Sequence, residues 1–287
     1  MKITHTTSLD EVQTKLVKKL IKSCQRFDNT FREPYLLNIL NFDKQMPAFF
    51  LGYEDSKLIG FLSVYADTKD PELSIFIHPE YRRIGYATKL YQAFLSETKP
   101  YHLNSVKYQT EAKFLNHNPK FIENLNLVVD NETETWMTRT GETFELLEKN
   151  GYVIKEASKS FSLQIAKLQS IIFSEDLKVS EKYVNEAIND ETGTLYIVLF
   201  NDMVIATCTV DKSSDYIYLY GLAVLNAYQR QGIGTYFMKK LINIEIEETK
   251  KPFQIAVADS NVVAKRMYER LGFLFQTQVV YFKIGNK

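Results

Sequence analysis

The stretch Gln229-Arg-Gln-Gly-Ile-Gly234 decides the fold, because it joins a predicted strand, residues 216–225, to a predicted helix, residues 235–247. Small residues in such a turn let the backbone approach a ligand closely. A helix that begins at the second glycine presents unpaired N–H groups and the positive end of its dipole. The turn therefore predicts a site for a phosphate anion made from backbone groups.

The same pattern occurs twice in the chain. Arg82-Arg-Ile-Gly-Tyr-Ala87 matches the first stretch at an offset of 147 residues, and upstream residues 57–64 match 203–210 at an offset of 146. This offset is about half of the chain, whereas solenoid repeats have periods of about 20–50 residues. The sequence therefore predicts two domains of similar fold, residues 1–140 and 152–287, connected by a linker helix over residues 141–151.

Hydrophobic periodicity predicts the same order of elements in both copies: a strand, two helices, a three-stranded meander, the glycine turn, a helix, a strand, a helix and a closing strand. The predicted fold class is α/β (α+β), with a mixed, mostly antiparallel twisted sheet flanked by helices in each domain. The predicted helices of the second copy are 162–173, about 179–188, 235–247 and 261–271, and its closing strand is 276–284.

These motifs and this order of elements resemble the GNAT superfamily of N-acetyltransferases. Gln229-Arg-Gln-Gly-Ile-Gly234 is similar to the family's pyrophosphate loop, and Asn261-Val-Val-Ala-Lys-Arg-Met-Tyr-Glu-Arg-Leu-Gly-Phe273 is similar to its second signature. The resemblance extends over both halves and implies a tandem GNAT enzyme. Such an acyltransferase moves an acetyl group from acetyl-CoA to a primary amine of a small molecule or peptide. It does so by direct attack in a ternary complex and releases coenzyme A.

The resemblance also implies roles for residues of the second copy. The N–H of Val224 would polarise the thioester carbonyl, and Tyr268 would protonate the departing thiolate. Asn261 would either bind the pantetheine arm or cap its own helix, and the strand residues would also be core. The implied cofactor-binding residues are Leu222, Ala223, Val224, Gln229, Arg230, Gln231, Gly232, Ile233, Gly234, Thr235, Asn261 and Tyr268.

The first copy departs from this pattern. Ile122 aligns with Tyr268, Asn126 aligns with Gly272, and Pro119 interrupts the matching helix. An intact phosphate turn without the acid predicts a domain that binds acetyl-CoA without catalysing, or one that only completes the substrate cleft. The residues of this possible second cofactor site are Ile75, Ile77, Arg82, Arg83, Ile84, Gly85, Tyr86, Ala87 and Thr88.

The sequence leaves two catalytic groups unassigned, the general base and the acid of the first copy. Many relatives carry a glutamate on the strand before the loop, but residues 216–224 contain no carboxylate. Asp215, Asp259, a water chain or a residue from the other half are the alternatives for a general base. In the first copy Tyr91, Tyr101 and Tyr108 are equal candidates to replace the missing acid.

Composition excludes several classes of function. The 287 residues include 35 Lys and Arg and 35 Asp and Glu, and each half of the chain is itself balanced. A neutral chain argues against nonspecific nucleic-acid binding and against a polybasic membrane anchor. No apolar run reaches the roughly 18 residues of a membrane span, and no signal peptide is predicted. We therefore expect a soluble, reduced, cytoplasmic protein, either a monomer or a homodimer.

Metal chemistry is not expected, because the four histidines lack the spacing of metal ligands. They are His5, His78, His102 and His117. Two other interpretations remain beside the small-molecule enzyme. One is a non-catalytic protein that binds or senses acetyl-CoA, which the missing strand carboxylate favours. The other is an acetyltransferase that acts on protein N-termini.

Overall fold

The computed structural model describes residues 1–284, which divide into two compact units. The first unit contains residues 1–135 and the chain from Thr277 on, and the second contains residues 136–276. The predicted domain 152–287 differs from this division at its end, because its closing strand lies in the first unit from Thr277 on. Residues 285–287 of that predicted domain lie outside the described residues.

The first unit is built on a mixed sheet whose strands lie in the order β1-β2-β3-β4-β5-β12-β6. Of the last strand, β6, only residues 127–135 belong to this unit. All pairs from β1 to β4 are antiparallel, β4 and β5 are parallel, and β12 runs antiparallel to β5. Its elements are β1 Lys2–Thr6, α1 Glu11–Asp28, β2 Phe49–Glu54, β3 Lys57–Tyr65, β4 Glu72–Ile77, α2 Tyr86–Thr98, β5 Lys107–Glu111, α3 Ala112–His117, α4 Phe121–Asn124, β6 Leu127–Arg139 and β12 Leu274–Ile284.

Helices cover both faces of this first sheet. Side chains alternate across a strand, so Phe49 and Leu51 of β2 pack in one cluster with Val17 of α1, while Phe50 packs in another with Phe94 of α2. Helix α1 begins at a capping box, in which Asp10 accepts from the backbone of Gln13 and the Gln13 side chain accepts in return. Both helices also contact β4, so the strand that leads into the first glycine turn lies between them.

The second unit repeats this plan in the order β6-β11-β10-β9-β8-β7, starting from the last four residues of β6. Strands β7 to β10 are antiparallel, and β10 and β11 are parallel. Its further elements are β7 Tyr152–Glu156, α5 Ser162–Phe173, α6 Leu177–Asn189, β8 Gly193–Phe200, β9 Met203–Asp211, β10 Ile217–Val224, α7 Ile233–Glu248, β11 Phe253–Ala258 and α8 Val262–Arg270. The predicted fold class is confirmed, with a mostly antiparallel sheet flanked by helices in each unit.

Three details differ from the sequence-based expectation or refine it. Residues 141–149, predicted as a linker helix, have no regular secondary structure. The first copy has no second helix before β2, since residues 30–48 form a long irregular segment. The predicted interruption at Pro119 is present, because α3 ends at His117 and α4 begins at Phe121.

No helix within residues 1–284 combines the length and the apolar character that a bilayer crossing needs.

Candidate functional site

The parallel strands of each unit separate after a short paired stretch. Strands β10 and β11 are paired at Ile217 and Tyr218, and β4 and β5 are paired at Glu72 and Leu73. Near the end of β10, the N–H of Leu225 donates to the carbonyl oxygen of Ile205 over 2.9 Å. Hydrogen bonds alternate along an antiparallel strand, so the N–H of Val224 points to the opposite edge, where β11 has moved away.

The same arrangement exists in the first unit. The N–H of His78 donates to the carbonyl oxygen of Ile59 over 2.8 Å, which turns the N–H of Ile77 toward the gap between β4 and β5. Val224 and Ile77 therefore occupy equivalent positions, each with a backbone donor released from the sheet.

A β-bulge distinguishes the second copy from the first. Tyr220 lies opposite Thr209 and Ala223 opposite Thr207, so β10 carries one extra residue between them. Gly221, in this bulge, has a φ of 64°, a left-handed conformation that glycine adopts at little cost. Strand β4 pairs with β3 in unbroken register over its whole length.

The glycine turns have the same backbone conformation in both units. Left-handed φ angles occur at Arg83 (65°) and Gly85 (84°) in the first turn, and at Arg230 (60°) and Gly232 (73°) in the second. Helices α2 and α7 start directly after these glycines, and no side chain caps either N-terminus. The first N–H groups of each helix are thus available to an anion, together with the backbone nest of the turn.

Side chains at the first position of each turn bond within the protein. Gln229 donates from Nε2 to the carbonyl oxygen of Val224 (2.9 Å) and to Oδ1 of Asn226 (3.0 Å). Arg82 donates from Nε to the carbonyl oxygen of Ile77 (2.9 Å), and its two terminal nitrogens each contact a carboxylate oxygen of Asp28 at 2.7 Å. Both side chains thus hold the turn in shape through bonds within the protein, and their role as cofactor contacts stays a prediction from the sequence.

A cavity of about 570 Å³ adjoins the first turn within the first unit. Gly85 and Ala87 of the turn, Ile75 and Ile77 of β4, and Glu111 of β5 line it. An added Cβ on Gly85 would have no atom within 4 Å, so the turn faces open space. The Glu111 carboxylate accepts from the backbone N–H groups of Phe31 and Arg32 at 2.8–2.9 Å and anchors the start of the irregular segment.

The cavity distinguishes among the three tyrosines that the sequence left as equal candidates for the missing acid of the first copy. Tyr91 and Tyr108 line it, and their ring centroids lie 5.8 Å apart. Burial raises the pKa of Tyr108. The Tyr101 hydroxyl instead donates to the carbonyl oxygen of Gln45 over 2.9 Å.

Tyr268 of α8 is 8% exposed and packs in the core of the second unit, with its ring edge-on to Phe273 at 6.0 Å. Burial, and to a smaller extent the Cys208 thiol, raises the pKa of its hydroxyl. Tyr268 is therefore both a packing residue and a protonated donor at neutral pH.

Matches to known proteins agree with this geometry. The model of the acetyltransferase (GNAT) family matches residues 14–118 and again residues 163–273. The chain belongs to the GNAT family. Each match spans the glycine turn of one unit.

Individual GNAT relatives extend the comparison. The chain is 30% identical over 127 residues, 42% of this chain and 73% of the relative, to N-alpha-acetyltransferase 50 from Danio rerio. A GCN5-related N-acetyltransferase from Sphaerobacter thermophilus matches with a TM-score of 0.74 at 14% identity, covering 99% of this chain and 96% of that one. A tandem GNAT protein from the clavulanic acid biosynthesis pathway has a TM-score of 0.69 at 12% identity and covers 100% and 99%. The two structures share the fold of this chain over nearly its whole length, and the second of them is a tandem GNAT protein.

The turns of this GNAT protein fit the pyrophosphate of acetyl-CoA. A Cβ on Gly85 would fill open space, and a Cβ on Gly234 would meet only Cγ2 of Val224 at 3.5 Å and Sδ of Met267 at 3.7 Å. Gly234 therefore borders the end of the strand that carries the released N–H. Arg230, Gln231, Ile233 and Thr235 complete the second turn, and Arg83, Ile84, Tyr86 and Thr88 complete the first.

Other predicted ligands of this GNAT site have structural roles as well. Asn261 accepts from the N–H of Ala264 over 3.1 Å, so it caps α8. Ala223 is buried against α5 and Leu222 packs on the core, which agrees with the core alternative for the strand. Asn126, aligned with Gly272, shares its left-handed conformation, with φ angles of 49° and 81°.

The candidate bases occupy different ends of the sheet. Asp259 follows β11 at the end where Val224 lies, and its carboxylate is 3.3 Å from Nζ of Lys265. Asp215 precedes β10 at the opposite end. Glu72, the first residue of β4, is a further candidate, a glutamate on the strand before a loop that no sequence motif singles out. Burial raises its pKa, against the partial opposition of Arg32 and Lys107.

Among residues 1–284, no group of three or more His, Cys, Asp or Glu side chains is arranged to hold a metal ion.

Proposed function

We propose that this GNAT protein is an acetyl-CoA-dependent N-acetyltransferase. It transfers an acetyl group to a primary amine of a small molecule or peptide by direct attack in a ternary complex, with catalysis in the second unit. The observation that carries the proposal is the released N–H of Val224, at the end of a strand that leads into a turn of unpaired N–H groups.

Each group has a defined task in this proposal. The N–H groups of Ile233, Gly234 and Thr235 bind the pyrophosphate, as helix N-termini do. When bound, acetyl-CoA supplies the activated thioester. The Val224 N–H would donate to the thioester oxygen, where negative charge develops, and the protonated Tyr268 hydroxyl would give its proton to the leaving sulfur. The proton that the attacking amine loses would return through solvent to Tyr268, so the transfer balances. Asn261 keeps Nδ2 as a donor for the pantetheine arm, because its Oδ1 is used by the cap.

The first unit binds acetyl-CoA without transferring the acetyl group. Its turn is open and adjoins a large cavity, which supports binding. Strand β4 lacks the bulge and Ile122 replaces the tyrosine, which supports the absence of transfer.

A peptide N-terminus is the acceptor that one comparison favours. The relative from Danio rerio is named an N-alpha-acetyltransferase, and 73% of its length is matched at 30% identity. A short peptide panel therefore belongs beside small amines in the test.

The test is a thiol-release assay with acetyl-CoA against amines, amino acids and peptides with free N-termini, with calorimetry of coenzyme A binding in parallel. Thiol release that depends on one class of acceptor supports the proposal and identifies that class. Coenzyme A binding without thiol release from any acceptor would instead indicate the non-catalytic sensor.

A further inference from the structure

A segment without secondary structure lies along α7 in the second unit; we call residues 141–150 the arm. Its middle is held by one asparagine. The N–H of Phe144 donates to Oδ1 of Asn243 over 2.7 Å, and Nδ2 of Asn243 donates to the carbonyl oxygen of Phe144 over 2.8 Å. Lys239 lies over the Phe144 ring at 5.0 Å. The arm therefore has a fixed position on the helix.

The end of the arm is held near the first turn of α7. Glu148 accepts a hydrogen bond from the Tyr236 hydroxyl over 3.0 Å and forms an ion pair with Lys240. Hydrogen bonds from Lys240 and Tyr236 lower the pKa of Glu148, so this anchor is charged at neutral pH. The next residue, Lys149, is thereby brought to the N-terminus of α7.

Lys149 reaches the glycine turn. Its Nζ donates to the carbonyl oxygen of Gln231 over 3.0 Å and lies 3.5 Å from the position of an added Cβ on Gly232. An ammonium group has three donors, so two remain beside the turn. The first turn differs, since its glycine has no atom within 4 Å of an added Cβ, and Arg83 donates instead to Oδ1 of Asn118 over 2.7 Å.

We propose that Lys149 is a phosphate ligand, which binds the pyrophosphate of the coenzyme at the second turn beside the backbone N–H groups. The inference rests on the proposed function, because it assigns a residue to the same coenzyme. The Lys149 cation adds a charge-assisted hydrogen bond beside the neutral backbone N–H donors of the turn. The two turns therefore bind the coenzyme with unequal strength, although their backbones are alike.

The test compares three ligands by calorimetry, with an Ala87→Glu background closing the first turn. Coenzyme A carries the pyrophosphate and a 3′-phosphate, dephospho-coenzyme A carries the pyrophosphate alone, and pantetheine carries neither. Lys149→Gln is expected to weaken binding of both phosphorylated ligands about tenfold and to leave pantetheine binding unchanged. Lys149→Arg should restore most of the affinity. Lys250→Gln, an exposed lysine of the same unit, is the matched charge control.

Ionic strength gives a second readout. Salt screens exposed charges, so the difference between the parent and Lys149→Gln should shrink as salt is raised. Equal affinity of both proteins for coenzyme A would overturn the inference and leave the proposed function standing. A loss confined to coenzyme A, absent with dephospho-coenzyme A, would also overturn it, because Lys149 would then contact the 3′-phosphate. If the unmodified chain binds no coenzyme A, the proposed function and this inference fail together.

Discussion

Gln229 donates from Nε2 to the carbonyl oxygen of Val224 over 2.9 Å and so connects the first residue of the turn to the last residue of the strand. In the first unit Arg82 makes the same connection to Ile77, also over 2.9 Å. An amide and a guanidinium are interchangeable here because each supplies one N–H donor. The side chain that a motif match treats as a ligand thus holds the turn in shape.

Gln229→Leu should weaken both the fold and coenzyme binding, because it leaves the Val224 carbonyl without this donor. We expect a loss of about 1 kcal/mol in the free energy of unfolding, the usual net value of one hydrogen bond, and weaker binding of coenzyme A. Gln229→Arg, which introduces the residue of the first copy, should retain binding. Urea unfolding and calorimetry measure the two effects, and full binding by the leucine variant would show that the connection is dispensable.

A carboxylate in the second turn should abolish coenzyme binding there. Gly234 tolerates a side chain, since a Cβ would make only ordinary contacts, at 3.5 and 3.7 Å. Gly234→Glu places a negative charge at a helix N-terminus, which favours the helix but repels a phosphate. The rise in melting temperature on adding acetyl-CoA should therefore shrink while the ligand-free protein stays folded.

Matched variants distinguish the two turns in that experiment. Ala87→Glu closes the first turn in the same way, and Gly234→Ala is the size control that should keep the full shift. An unchanged shift in Gly234→Glu, together with its loss in Ala87→Glu, would move the main coenzyme site to the first unit.

The repeat and its turns could be predicted from the sequence because both depend on local backbone demands. Left-handed φ angles at Gly85 and Gly232 favour glycine. The strand before each turn and the helix after it leave a clear pattern of hydrophobic residues in the sequence. The placement of β12 could not be predicted, since periodicity identifies a strand but not its neighbour. The register of Val279 on Glu111 depends on tertiary pairing alone.

The predicted linker helix over residues 141–151 is absent, since residues 141–149 have no regular secondary structure. Leu147 in the arm is 91% exposed, so it contributes no burial that would hold a helix there. The backbone of Phe144 forms its hydrogen bonds with the Asn243 side chain, a contact that no sequence pattern indicates. Lys149 was overlooked for the same reason, because its proximity to the turn exists only in the folded chain.

Glu72 should give the first unit a measurable dependence on pH. Burial raises the pKa of this carboxyl above its ordinary value of 4.5. The folded state then binds the proton more tightly than the unfolded state, so this group's contribution to stability falls as pH rises from about 4.5 through the folded pKa. Glu72→Gln removes the contribution, and its stability relative to the parent should increase over that range.

Urea unfolding of both proteins from pH 4 to pH 8 checks the Glu72 prediction, and parallel curves would contradict it. Turnover gives an independent readout. Because we propose catalysis in the second unit, Glu72→Gln should leave thiol release unchanged at saturating acetyl-CoA. A large loss of turnover with binding intact would identify Glu72 as a base and the first unit as catalytic.

Tyr268→Phe should separate catalysis from binding in the second unit. The ring is buried against Phe273, so phenylalanine keeps the packing and removes only the hydroxyl. General acid assistance contributes roughly 10²–10⁴-fold, so kcat should fall by up to that range. The fall is smaller if solvent protonates the thiolate. The dissociation constant for acetyl-CoA should stay the same.

Ile122→Ala, at the equivalent position of the first copy, is the control and should leave kcat nearly unchanged because it removes no proton donor. Steady-state kinetics on an identified acceptor, with separate calorimetry, test both variants. Full turnover in folded Tyr268→Phe would eliminate the hydroxyl as the acid and leave Tyr91 and Tyr108, which line the cavity of the first unit, as the remaining tyrosine donors named from the sequence.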